Sequence, residues 1–134
     1  MGRWQELDHT ADLALHVWGR DLTDLFVAAA SGMFSLLAGA APAGAAVRFE
    51  LHLAALDVES LLVDWLNELL YLCETRDLVA TGFVLERLTP TELQAEVVGV
   101  PVAERRAHIK AATYHMLSVV AVEAGYETEV VFDV

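Results

Sequence analysis

The chain interleaves stretches of helical and strand periodicity, and this order limits the folds open to it. Between residues 58 and 73, apolar side chains recur every three or four positions, which predicts an amphipathic helix capped by Asp57. A second helical pattern runs from residue 22 to 37 and opens with Asp21 and Asp24 in the spacing of a capping box. Each helix therefore has an apolar stripe that must be buried against another element.

Alternating apolar and polar residues predict strands around the two helices. Strands are expected at residues 13–18 and 47–53, and a Thr-Pro-Thr run at residues 89–91 predicts the turn of a hairpin. A second hairpin is predicted over residues 112–132, where β-rich stretches flank an Ala-Gly turn. The expected fold is α+β, a two-layer sandwich with two helices packed on a mixed, largely antiparallel sheet with C-terminal hairpins.

Length and composition exclude several classes of protein. An apolar fraction of 56% is too high for a disordered chain, and no run of apolar residues is long enough for a membrane span. The first residues lack the apolar core of a signal peptide, and the single Cys73 cannot form an internal disulfide. A single cytoplasmic domain over residues 1–134 is expected.

The charge balance bears on the class of partner. The net charge is −12, with a single lysine among eight basic residues. Proteins that grip nucleic acid directly usually carry a basic surface that displaces counterions from phosphates. Tight direct nucleic-acid binding is therefore not expected, and the acidic excess favours cations or a basic protein partner.

Carboxylates at the two ends of the chain could share a cation. Residues 8–12 read Asp-His-Thr-Ala-Asp, and an apolar strand pattern near the C-terminus is followed by Asp133 and Val134. If strand 13–18 pairs beside the last strand, Asp12 would join Asp133 and the Val134 carboxylate as oxygen ligands of calcium or magnesium. The plainer interpretation is a polar turn and an exposed strand end. The residues by themselves leave both open.

Other polar residues allow two interpretations each. Lys110 is either an exposed charge or a phosphate-binding ammonium near the acidic cluster. On the second helix, the polar positions away from the apolar stripe are either solvated surface or a protein-docking face; they are Asp64, Asn67, Glu68 and Tyr71. No nucleophile elbow, phosphate loop or Ser-His-Asp order is visible, so no active site is predicted.

Four segments carry a family resemblance. They are the Asp-His-Thr-Ala-Asp motif at 8–12, Val-Asp-Trp-Leu-Asn-Glu-Leu-Leu at 63–70, Ile-Lys-Ala-Ala-Thr-Tyr-His at 109–115, and Val-Phe-Asp-Val at 131–134. In this order and at this chain length, they resemble the archease family from residue 4 to 134. The resemblance implies a small non-enzymatic accessory factor that promotes guanylylation and multiple turnover of an RtcB-type RNA ligase.

The resemblance also implies the site and its partners. The ligase joins tRNA halves that carry a cyclic or 3′ phosphate, which places the chain in tRNA splicing or RNA repair. Calcium is the cation usually described in the family, with magnesium or manganese as alternatives. By the resemblance, the metal ligands fall on Asp12, Asp133 and Val134, with Asp8 and His9 in support. The lysine that matters for activation of the ligase falls on Lys110.

Two other functions remain open. A general chaperone or structural binding module would bind unrelated unfolded proteins without depending on Asp12 or Lys110. A metal-dependent hydrolase would use His9 and the carboxylates to cleave a phosphoester, although the sequence offers no recognisable nucleophile or base pair. No membrane partner is expected.

Overall fold

The computed structural model describes residues 2–7, 13–38, 44–102, 108–115 and 117–134. Within these residues the chain forms two helices, α1 (Leu22–Leu37) and α2 (Val58–Arg76). The strands of the same residues are β1 (Arg3–Leu7), β2 (Leu13–Gly19), β3 (Val47–Ala54), β4 (Leu78–Leu88), β5 (Glu92–Pro101), β6 (Ala111–Ala112), β7 (Val120–Val122) and β8 (Gly125–Asp133).

The strands form two sheets. The larger sheet has the order β1-β2-β8-β6, with β7 also paired to β8, and the smaller sheet has the order β3-β5-β4. Every pairing among the described strands is antiparallel. Because β2 pairs with one edge of β8, and β6 and β7 pair with the other, the last strand of the chain lies inside the larger sheet.

Both helices begin at the aspartates that the sequence predicts as caps. The Asp21 carboxylate accepts a hydrogen bond from the Asp24 backbone N–H at 2.8 Å, and Asp57 accepts one from Ser60 N–H at 2.8 Å. Each carboxylate satisfies a backbone donor that the first helical turn leaves free. The bond from Ser60 lowers the pKa of Asp57 below its ordinary value.

In the predicted capping box of α1, the second residue, Asp24, binds an arginine. The Asp24 carboxylate accepts from the Arg20 side chain at 2.8 Å and from the Arg20 backbone N–H at 3.3 Å. The hydrogen bond from Arg20 lowers the pKa of Asp24. The box is therefore confirmed at its first residue, while Asp24, its second, accepts hydrogen bonds from the arginine next to the cap.

The core lies where the helices meet the sheets. Helix α1 packs against β1 and β2, and α2 packs against β3, β4 and β5. Where the helices meet, the buried Trp65 indole N–H donates to the Phe26 carbonyl at 3.0 Å, and the Phe83 ring contacts the Trp65 ring edge-on at 5.8 Å between centroids. A buried indole needs such an acceptor, so this bond lets a large side chain fill the centre of the core.

The α+β fold class is confirmed, with two differences in the strands. The strands are divided between two sheets, whereas one sheet was expected. The hairpin around residues 89–91 forms as predicted, but most of the first arm of the C-terminal hairpin is irregular backbone rather than strand. In the described residues, no helix is both long and apolar enough to cross a membrane.

Candidate metal and partner site at the end of strand β8

The end of β8 is held on both sides by other strands. On one side, Leu13 of β2 pairs with Phe132, and on the other, Ala111 of β6 pairs with Asp133. The Lys110 backbone N–H donates to the Asp133 carbonyl at 2.8 Å. Phe132 is completely buried, whereas Asp133 and Val134 are exposed. The buried ring and the two neighbouring strands thus fix the backbone that carries the exposed carboxylate.

The described residues include part of the predicted site. Asp133, Val134 and Lys110 are all described and exposed, and one backbone hydrogen bond links Lys110 to Asp133. Asp8, His9 and Asp12 lie outside the described residues, so their predicted roles stay predictions. The expected pairing of strand 13–18 beside the last strand is confirmed, because β2 pairs with β8 over most of its length.

An irregular stretch, here called the 108–119 segment, runs between α2 and β8; its residue 116 is not described. A short stretch of backbone bonds and two side-chain hydroxyls hold it to β8. Thr113 bonds the Val131 carbonyl twice, through its backbone N–H at 3.0 Å and its hydroxyl at 2.9 Å. The hydroxyl of the buried Thr128 donates to the Ser118 carbonyl at 2.9 Å. Residues 112–122 were predicted as one strand; among those described, only Ala112 and residues 120–122 form strand.

Helix α2 holds the other side of the 108–119 segment. The Ala112 N–H donates to the Asn67 side-chain oxygen at 2.7 Å, and the Asn67 amide donates to the Ala112 carbonyl at 3.2 Å. The Glu59 carboxylate accepts from the Val119 N–H at 2.9 Å. Ile109 is 2% exposed and belongs to the common hydrophobic core. The segment therefore runs antiparallel to α2, with its later residues near the first turn of the helix.

Asn67 is the site residue that the sequence pattern missed. Its position on the polar side of α2 suggested solvated surface, but its amide bonds Ala112, two residues from Lys110. A signal was present, because asparagine favours caps and turns over helix interiors. An asparagine in the third turn of a strongly amphipathic helix is therefore a candidate for a tertiary hydrogen bond.

A surface concavity of about 250 Å³ lies beside Asp133. It is lined by Thr113, His115, Val131, Phe132 and Asp133. The His115 backbone N–H donates to the Thr113 hydroxyl at 3.3 Å, which links the histidine to the threonine that bonds β8. The concavity therefore brings a carboxylate, an imidazole and a hydroxyl to the surface next to Lys110.

The end of β8 could bind a hard cation only if residues outside the described ranges supplied further ligands. The Asp133 side chain would provide oxygen ligands, which calcium and magnesium prefer, and Val134 is the other predicted ligand at this end. Among the described residues, no group of three or more histidine, cysteine or acidic side chains is placed to hold a metal. A complete cation site would need a further ligand, and Asp12, the residue before Leu13 in the sequence, is the predicted one.

The similarity of this chain to known proteins extends well beyond the end of β8. The chain matches the model of the Archease protein family over residues 4–134. It belongs to the archease family. This membership confirms the resemblance carried by the four segments, of which two contain the residues that pair at the end of β8.

Relatives from archaea are similar over their full lengths. The chain is 32% identical to protein archease of Methanosarcina acetivorans over 140 residues, which cover 98% of this chain and 96% of that protein. It is 31% identical to protein archease of Saccharolobus solfataricus, with 100% of both chains covered.

Solved structures share the fold. The solution structure of protein 1598 from Methanobacterium thermoautotrophicum superposes with a TM-score of 0.73 at 26% identity, covering 98% of each chain. The crystal structure of an archease from Thermotoga maritima, described as a possible chaperone, has a TM-score of 0.71 at 21% identity and covers 97% of this chain and 96% of that one. At that identity the second likeness concerns the fold only.

Proposed function

We propose that this chain is a non-enzymatic, metal-binding accessory protein that activates an RtcB-type RNA ligase in tRNA splicing or RNA repair. It promotes guanylylation of the ligase and its return to further rounds of joining. The observation that carries the proposal is the hydrogen bond from the Lys110 backbone N–H to the Asp133 carbonyl, because it links two residues implied by the family resemblance. Ala111, the residue after Lys110, is the strand partner of Asp133.

In the proposed site, Asp12, Asp133 and the Val134 carboxylate hold one divalent cation, and Asp8 and His9 support these ligands. The pairing of Leu13 with Phe132 supports this arrangement, since Leu13 follows Asp12 and Phe132 precedes Asp133 in the sequence. Clustered carboxylates repel one another, and a cation offsets that repulsion. Calcium is the first candidate because it accepts a variable number of oxygen ligands, with magnesium or manganese as alternatives.

Lys110 is the proposed contact to the ligase. It is the only lysine of the chain and is exposed beside the carboxylates. An ammonium group is a compact point charge that binds a single phosphate oxygen or carboxylate, such as those of a nucleotide or an acidic ligase residue. The acidic chain itself would approach a basic, RNA-binding surface of the ligase, where charge complementarity raises the rate of association.

A guanylylation and ligation assay tests the proposal. The cognate ligase is supplied with GTP and a broken RNA, with and without this protein, over a range of calcium, magnesium and manganese concentrations. The wild-type protein is expected to raise guanylylation and to allow multiple turnover. Asp12→Asn and Asp133→Asn are each expected to lower that stimulation by about tenfold or more, since each removes a charged ligand.

Matched variants control for loss of surface charge. Glu129→Gln removes an exposed carboxylate from the same strand as Asp133, and Arg48→Ala serves as the control for Lys110→Ala. Both controls are expected to stimulate like the wild type, while Lys110→Ala is expected to fail. Normal stimulation by Asp12→Asn and Asp133→Asn together would refute the mechanism.

A general chaperone is the second candidate, and a protein of the same fold from Thermotoga maritima is described as a possible chaperone. It predicts that the chain suppresses aggregation of unrelated unfolded proteins. It also predicts that Asp133→Asn and Lys110→Ala retain that activity, because a nonspecific surface does not depend on one carboxylate. Light scattering of a heated client protein separates this function from activation of the ligase.

A further inference from the structure

Strand β6 has only two residues, yet its outer edge is satisfied. Among the described strands, β8 alone pairs with β6, so the Ala112 N–H and C=O that face away from β8 have no strand neighbour. The Asn67 side chain bonds both of them, at 2.7 Å and 3.2 Å. A carboxamide has the same donor and acceptor pair as a peptide group, so Asn67 takes the place of a further strand.

We propose that Asn67 is a positioning residue that sets the register of Lys110 against Asp133, and through it the surface that meets the ligase. This role rests on the function proposed above. Lys110 lies two residues before Ala112, and Asp133 is the pairing partner of Ala111. A shift of Ala112 away from Asn67 would move the Lys110 N–H from the Asp133 carbonyl, because the two residues of β6 and the Thr113 bonds to Val131 hold this backbone on its β8 side only.

Helix α2 offers a matched comparison in the same 108–119 segment. Glu59 bonds the Val119 N–H at 2.9 Å, just as Asn67 bonds Ala112. Both side chains extend from α2 to the backbone of the same segment, where Glu59 bonds one group of Val119 and Asn67 bonds two groups of Ala112. Val119, however, lies seven residues beyond Ala112 and on the far side of the concavity residues Thr113 and His115. Loss of the Glu59 bond is therefore expected to leave Lys110 in place.

Hydrogen exchange of the protein alone tests the positioning role without the ligase. In Asn67→Ala, the Lys110 and Ala112 amides are expected to exchange about tenfold to a hundredfold faster, since two hydrogen bonds are lost. The β4–β5 amides serve as the internal reference. In Glu59→Ala, the Val119 amide is expected to exchange faster while the Lys110 amide keeps its protection.

A second variant covers the case in which Asn67→Ala loosens the whole fold. Asn67→Asp keeps the acceptor for the Ala112 N–H but sets a carboxylate against the Ala112 carbonyl, which removes one bond of the pair. The test of the positioning role uses whichever of these two variants keeps the β4 and β5 amides protected from exchange. Wild-type exchange at Lys110 in that variant overturns the proposal.

The ligase assay then separates this role from the proposed function. Asn67→Ala is expected to need at least about fivefold more protein or calcium for half-maximal stimulation, while Glu59→Ala behaves as the wild type. If the wild-type protein does not stimulate the ligase, the proposed function fails, and the exchange data still decide whether Asn67 sets the register. If exchange at Lys110 rises but stimulation is normal, the positioning role is refuted.

Discussion

The β4–β5 hairpin and the 108–119 segment are both extended backbone packed beside a helix, but they are held in opposite ways. The hairpin pairs from Leu78↔Pro101 to Leu88↔Leu93 along its own length, and its turn is closed by the Thr89 hydroxyl. The 108–119 segment has two residues of strand, and its other anchors come from Glu59, Asn67 and β8.

The difference shows where this fold places its candidate site. A hairpin closes a short loop, so its contacts form between residues close in the sequence. The bonds between α2 and the 108–119 segment join residues that are 45 and 60 positions apart in the sequence. Segments held by a few tertiary bonds open more easily than continuous ladders. The proposed contact to the ligase therefore lies on the part of the molecule that a few substitutions can move.

The largest expected effect comes from the core beneath the site. Phe132→Ala removes a completely buried ring at the end of β8, and about 3–5 kcal/mol of unfolding free energy should be lost. Leu93→Ala, equally buried in the hairpin, should cost about 2–5 kcal/mol. Urea unfolding measures both losses, and hydrogen exchange at urea concentrations below the transition distinguishes the two variants. Exchange below the unfolding transition should rise in the 108–119 segment for the first variant only; equal local exchange in both would contradict the comparison.

A smaller effect is expected at the turn that leads into β8. Gly125 has a φ of 146°, and a Cβ added there would meet the Gly19 carbonyl oxygen. Gly125→Ala should therefore cost about 1–3 kcal/mol, from steric overlap and backbone strain. Pro90→Ala, in the exposed turn of the other hairpin, is the control and should change stability by less than about 0.5 kcal/mol. Thermal unfolding measures both; equal melting temperatures would show that the β7–β8 turn can relax.

Matched threonine substitutions compare the two regions with a single atom change. Thr113→Val removes the hydroxyl that bonds the Val131 carbonyl and accepts from His115, and about 1 kcal/mol should be lost. Thr89→Val removes a hydroxyl that accepts from two turn amides. The ladder between β4 and β5 remains, and water can replace the lost acceptor. The cost of this substitution should be smaller. Urea titration compares them, and a larger loss in Thr89→Val would reverse the proposed ranking.

The smallest effect concerns pH and the cap of α2, the helix that anchors the 108–119 segment. The folded-state pKa of Asp57 is lower than its ordinary value of 3.8, so its contribution to stability is present above that value and is lost as pH falls through the folded pKa. Asp57→Asn keeps a capping side chain and removes the titration. Stability measured from pH 6 to 3 should fall less steeply in this variant than in the wild type. Asp64→Asn, later on the same helix, is the control.

Much of the fold could be predicted because its signals are local. The stripe at residues 58–73 and the caps Asp21 and Asp57 correctly predicted both helices. The Thr-Pro-Thr turn correctly predicted the β4–β5 hairpin. The division of strands into two sheets was not predicted, since strand periodicity specifies which face is buried and says nothing about which edges pair.

The candidate site was predicted less completely. The placement of Lys110 beside Asp133 agrees with the family resemblance, whereas periodicity by itself did not bring them together. The β-forming residues after Ala112 suggested a long strand, yet residues 113, 118 and 119 make hydrogen bonds that involve side chains, and only residues 120–122 pair as a strand. Local propensity gave way there to tertiary hydrogen bonds, which a single sequence does not display.

By itself, the sequence of this protein determined its α+β class, the starts of its helices, its acidic charge and its membership of the archease family. These properties depend on neighbouring residues or on the chain as a whole. The tertiary structure decided that β8 lies inside a sheet, that Lys110 bonds the backbone of Asp133, and that Asn67 replaces a strand beside Ala112. The physical reason is that hydrogen bonds between distant residues depend on how the elements pack, and packing is settled only when the whole core is buried.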